Sequence, residues 1–140
     1  MKAIKNIIIT AIALISIFFV SFSWGAGDGR LLDLEPTTHH PDARGTAYID
    51  NTHVSVHASG LRPNSVYTVW FVNMKPKKNE TGAGTAPYMF KTNKRGDGNY
   101  SASLTEAPFG KWSVVMIVLH TNGNPKDMKN MVGALKAPLG

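Results

Sequence analysis

From residue 53 to 59 every second side chain is apolar. Val54, Val56 and Ala58 point one way, and His53, Ser55, His57 and Ser59 the other. That alternation is the pattern of a β-strand with one dry face and one wet face. Other short runs of the same kind are separated by Gly, Pro and Asn, and none carries a long amphipathic helical repeat. The chain is therefore expected to be all-β, a single sandwich of about seven strands. Residues 31–35 form a first edge strand closed by Pro36, and residues 46–50 and 53–59 a hairpin about Asp50-Asn51. Residues 65–73 are a strand, 74–86 a loop, 87–92 and 99–105 a second hairpin, and 111–120 a long strand. For the tail, Asn124-Pro125 with Met128, Met131, Val132 and Leu135 at helical spacing predicts one helical turn. A short closing strand then pairs with residues 111–120.

The first 25 residues stand apart. Lys2 and Lys5 precede an apolar run of about 16 residues, Ile7 to Phe22, followed by the small residues Ser21, Ser23, Gly25 and Ala26. This is the layout of a secretory signal peptide, with cleavage expected between Ser23 and Ala26. The run is shorter than the roughly 20 residues a bilayer core requires, so membrane contact is expected only through an uncleaved leader. Residues 1–25 are thus the signal peptide and 26–140 the sandwich, periplasmic or extracellular. The 15 Lys and Arg of the whole chain, less the two leader lysines, leave 13 against 9 Asp and Glu. No basic stripe interleaved with aromatics is present, which excludes a nucleic-acid partner. The chain contains no cysteine, so its core must hold it without disulfides.

Two segments break the one-wet-face pattern. In residues 65–73, Val66, Trp70 and Val72 oppose Tyr67, Val69 and Phe71. In residues 111–120, Trp112, Val114, Met116 and Val118 oppose Val115, Ile117 and Leu119. Strands that are apolar on both faces are normally covered on both. One face belongs to the sandwich core; the other needs the C-terminal segment, the 74–86 loop, or another molecule over it. Trp70, Phe109 and Trp112 are the expected aromatic anchors of a binding surface for a protein partner or a second copy.

The spacing Leu61-x-Pro63-x-x-x-Tyr67 resembles the tyrosine corner of immunoglobulin-like and fibronectin-type-III domains. That resemblance implies a Greek-key sandwich in which the tyrosine hydroxyl bonds to backbone just upstream. In a fibronectin domain the corner precedes the last two strands, whereas here three or four follow. Tyr67-Thr68-Val69-Trp70, Phe90, Gly96, Gly98, the run Tyr100 to Leu104, and Trp112 are more loosely similar to the extracytoplasmic sandwich of anti-sigma-factor K proteins.

Catalytic chemistry has little support. There is no cysteine, no Gly-x-Ser-x-Gly elbow and no phosphate loop, and the acids sit mostly in turns and at strand ends. The expected function is a non-catalytic, exported interaction module without a cofactor. The alternative is a periplasmic copper carrier that uses His39, His40, His120, Met128 and Met131, because imidazole and thioether suit Cu(II) and Cu(I) respectively.

Overall fold

The structure, a computed structural model, describes residues 29–140; the expected signal peptide lies outside the described residues. Nine strands follow in order: β1 Arg30–Pro36, β2 Arg44–Ile49, β3 His53–Ser59, β4 Val66–Asn73, β5 Asn79–Gly82, β6 Met89–Lys91, β7 Gly98–Ser103, β8 Val114–His120 and β9 Met131–Pro138. The described residues contain no helix, and every pairing is antiparallel. The strand order is β5-β4-β8-β9-β1-β2-β3-β7, with β6 also on β4. This single sheet folds back on itself. Residues 30–34 of β1 pair with β2, and Glu35 and Pro36 pair with β9. The segment expected as an edge is therefore the hinge between two layers.

The layers pack through the alternation in the sequence. Ala47 and Ile49 of β2 and Val54 and Val56 of β3 meet Tyr67 and Val69 of β4 and Val115 and Ile117 of β8, all fully buried. Burial of this apolar surface is the main stabilising term at about 25 cal/mol per Å². Between Ile117 and Val118 the β8–β9 register shifts, leaving Ala134 as an extra residue. The bulge lets Ala134 and Leu135 both enter the core.

Three local expectations are corrected. The 74–86 segment contributes β5, which supplies β4 residues 70–73 with hydrogen-bonding partners. Its Asn-Glu-Thr-Gly sequence has no apolar period, so pairing and not burial makes it a strand. The second hairpin does not form. β6 bonds to β4 and β7 bonds to β3, and the turn between them carries the chain from one layer to the other. Asn93 holds that turn by accepting from the backbone N–H groups of Arg95 and Asp97, and Leu61 N–H donates to the Gly96 carbonyl. Gly96 sits at φ 81° against that backbone, where any side chain would collide with Leu61. Finally, the helical turn after Asn124 is absent. Asn122, Asn124 and Asp127 accept from nearby backbone N–H groups, and such local bonds compete with a helix. The closing strand is present and pairs with β8.

The Tyr67 hydroxyl bonds backbone just upstream, as the resemblance to a tyrosine corner implies. Its hydroxyl accepts from Arg62 N–H at 2.9 Å and bonds His40 Nε2 at 3.1 Å, while its ring stacks on Phe90. Replacing Tyr67 by Phe leaves the part-buried Arg62 N–H without its acceptor and breaks the bond to His40, at a cost of about 1–3 kcal/mol. Urea unfolding of Tyr67→Phe is expected to show that loss with an unchanged m-value. A midpoint equal to that of the parent protein would remove the corner's structural role.

Candidate functional site

Strand alternation sends Thr68, Trp70 and Val72 of β4 to the outer side of the β5-β4-β8-β9 layer, opposite the core. Cross-strand pairing sets Trp70 beside Met116 of β8 and Gly82 of β5, and Thr68 beside Val118. Trp70 Nε1 donates to Thr68 Oγ1 at 2.7 Å, and a further 2.7 Å bond joins Thr68 Oγ1 to His120 Nε2. Thr68 and His120 are buried. This chain of bonds holds the indole with its only polar atom already engaged. His120 Nδ1 is buried without a partner among the described residues.

The second wall comes from an interrupted edge strand. Ala83 N–H donates to the Val69 carbonyl, and Val69 N–H donates to the Tyr88 carbonyl. Residues 84–87 thus bulge out between two residues that both bond Val69. Ala83 turns into the core with 0% exposure, and its carbonyl accepts from the Tyr100 hydroxyl at 2.6 Å. Tyr88 leaves the bulge at φ 63°, a conformation costly for a bulky aromatic and associated with functional sites. The bulge re-aims Tyr88 over Gly82, where an added side-chain carbon would run into its ring. Its ring centroid lies 5.6 Å from that of Trp70 with the planes tilted by 53°.

The third wall is the β8–β9 loop. The Asp127 carboxylate accepts from Asn122 Nδ2, Asn130 Nδ2 and Lys129 N–H at 2.6–2.8 Å. Those bonds, Asn130 first and then Lys129 and Asn122, lower its carboxyl from the ordinary 3.8 to about 2. The loop presents Pro125, Lys126 and Met128, which with Trp70, Ala86, Pro87 and Tyr88 enclose a groove of about 450 Å³. Met128 is 45% exposed although its neighbours here are apolar. On the other side of Trp70 lies a smaller cleft of about 180 Å³, lined among others by Val72, Lys78, Glu80, Met116, Val118 and Met131. Trp70 is the ridge between the two.

The expected covering of this face is only partial. β9 lies alongside β8 instead of over it, and the 74–88 segment contributes an edge strand and one aromatic wall. The three expected anchors are not brought together. Trp70 is on the outer face, whereas Phe109 and Trp112 pack half-buried against the end of the core. The Arg30 guanidinium lies 4.0 Å over the Phe109 ring, and Arg30 also donates to the Leu139 carbonyl. Trp112 borders an end recess of about 250 Å³ beside the Lys111–Glu106 ion pair. These two rings close the sandwich.

The expected metal ligands are also separated. His40 bonds the Tyr67 hydroxyl and His120 the Thr68 hydroxyl. Consecutive residues of one strand face opposite sides, so the sheet lies between the two imidazoles. Burial, then His39 and Arg62, hold His40 below its ordinary 6.5. His39 and His40 line a separate open cleft with Arg62 and Leu119. Met131 pairs with His120 across β8–β9, and Met128 belongs to the Trp70 groove. Among the described residues no three or more His, Asp or Glu side chains group as metal ligands. Tyr88, Pro87 and Pro125 were not expected as site residues; Pro-Tyr after a Gly-rich run was the available signal.

No protein family, curated protein or solved structure matches the chain.

Two predictions follow from the walls. Gly82→Ala displaces Tyr88 and destabilises the protein by about 1–3 kcal/mol through overpacking. Near-ultraviolet dichroism, which reads the Trp70–Tyr88 pair, should change while far-ultraviolet dichroism does not; an unchanged aromatic signal would refute the packing. For Asp127, a depressed folded pKa means that its hydrogen bonds contribute fully above the ordinary 3.8 and are lost as pH falls through about 2. Amide exchange at residues 122–130 should therefore stay protected at pH 4 and accelerate in Asp127→Ala. Equal exchange in the two proteins would show that the carboxylate does not hold the loop.

Proposed function

We propose that this is an exported, non-catalytic interaction module whose working surface is the outer face around Trp70. The observation that carries this reading is the Trp70–Tyr88 pair. That pair stands an aromatic in a left-handed backbone conformation over a glycine at the sheet's edge. What that arrangement does provide is a rigid, apolar groove open to solvent. Aromatic anchors in preorganised pockets dominate the energetics of protein–protein interfaces. Export is supported by the Lys2/Lys5, apolar and small-residue order of residues 1–25. The lack of a cysteine and of a Gly-x-Ser-x-Gly elbow in the sequence supports a binding role over an enzymatic one.

The test is site-specific photo-crosslinking in the expressing cell. A benzophenone amino acid is placed at Met128, and as a control at His57, on the outer face of the other layer. Adducts of discrete mass are expected from position 128, not from 57, and should vanish when Trp70→Ala is added. Adducts at neither position, or equally at both, would reject this face as the interaction surface. An adduct at twice the chain mass identifies a second copy as the partner.

A further inference from the structure

We infer that Asn122 is a site of spontaneous covalent modification, deamidation through a cyclic imide with Gly123, which Asp127 restrains and which releases the β8–β9 loop once it has occurred. The reaction requires the backbone nitrogen of the following residue to reach the asparagine's own Cγ, and a side chain on that residue obstructs the approach. Asn122 alone among the asparagines of the chain precedes a glycine. Nearby Asn124 precedes Pro125, whose nitrogen has no proton to lose. Asn122 is exposed, Gly123 stands at φ 75°, and the space beside the Gly123 Cα is open, so water has access to the reacting atoms. Gly123 N loses its proton and bonds to Asn122 Cγ, while the Cγ–Nδ2 bond breaks and the amide nitrogen leaves as ammonia. Water then opens the ring at one of its two carbonyls. One opening gives aspartate at position 122. The other gives isoaspartate, in which the main chain runs through the former side chain.

The fold holds these atoms apart. Asn122 Nδ2 donates to Asp127 Oδ2 at 2.6 Å, Asn122 Oδ1 accepts from Asn124 N–H at 3.0 Å, and Gly123 N–H donates to the His120 carbonyl at 3.0 Å. Those partners also fix which side-chain atom is oxygen and which nitrogen, because a carboxylate only accepts and an N–H only donates. Closing the ring breaks all three bonds, so conversion proceeds from the locally open loop, whose population the Asp127 bonds keep low. The product cannot re-form the closed loop. A carboxylate oxygen takes the place of the Nδ2 donor against Asp127 Oδ2. Asp127 stays ionised down to about 2, so at neutral pH two like charges face each other at hydrogen-bond distance. Lys126 and Lys129 lie in the same loop but form no ion pair among the described residues, where the pairs are Arg95–Asp97 and Lys111–Glu106. Isoaspartate adds a main-chain carbon inside the His120–Gly123 turn and breaks its closing bond as well. The segment that opens carries Pro125, Lys126 and Met128, the third wall of the groove beside Trp70. The change is one-way.

The experiment holds the purified protein warm at mildly alkaline pH and follows it by intact mass and by peptide maps that separate aspartate from isoaspartate. A gain of about 1 Da is expected at Asn122 before any other asparagine. Its rate should rise about threefold or more in Asp127→Ala and in the urea-unfolded parent protein. Asn122→Asp compared with Asn122→Ala isolates the new charge, since both lack the Nδ2 donor. Amide exchange at residues 122–130 should be faster in Asn122→Asp at neutral pH. No conversion at Asn122 in the unfolded chain, or earlier conversion at another asparagine, overturns the site. Equal rates in the folded parent protein and Asp127→Ala overturn the restraint. Equal exchange in the two Asn122 variants overturns the release.

Discussion

The pairing of β4 with β8 is the contact on which the remaining structure is arranged. It runs over seven residue pairs from Val66↔His120 to Val72↔Val114, and both strands are apolar on both sides. Their inner side chains, Tyr67, Val69, Val115 and Ile117, are the half of the core against which β2 and β3 must close. Their outer side chains cannot be equally buried, because one sheet of about 110 described residues has no third layer to spend on them. The molecule compromises. Thr68 Oγ1 and His120 Nε2 are buried in a bond to each other, Val72 and Val118 are buried, and Trp70 and Met116 remain half-exposed.

That compromise creates the candidate site. An edge strand ordinarily repeats the alternation of its neighbour; here it is cut at Val69 and resumed after four residues. The cut lets Ala83 fill the core while Tyr88 moves to the outer side, where a two-residue register could never put it. The φ of 63° at Tyr88 is the local cost of that placement, offset by contact with Trp70 and Gly82. On the opposite flank the β8–β9 loop is held by side-chain hydrogen bonds, three of them to the Asp127 carboxylate. The groove is therefore ordered by hydrogen bonds on one side and by aromatic packing on the other.

The other aromatic and imidazole groups have structural work. Phe109 and Trp112 close one end of the sandwich, with Arg30 over the Phe109 ring. His40 braces Tyr67 from the loop between β1 and β2, and His53 and His57 bond Ser101 and Asn99 across the wet face of β3 and β7. Each of these side chains has the composition of a ligand and the geometry of a brace.

Alternation in β3, the doubly apolar residues of β4 and β8, and the Leu61-x-Pro63-x-x-x-Tyr67 corner were legible in the sequence, because burial and local hydrogen bonding act on residues within a few positions of one another. That Trp70 stands on a strand apolar on both faces was legible for the same reason. The sequence could not show that β1 serves two layers, that β6 and β7 part company across a turn, or that residues 122–130 avoid a helix in favour of side-chain bonds. Nor could it place Tyr88, Pro87, Pro125 and Met128 around Trp70, or set His40 and His120 on opposite sides of one sheet. Those outcomes depend on which strands find each other over tens of residues. Strand pairing is selected by the complementarity of whole faces, and no single segment carries that information.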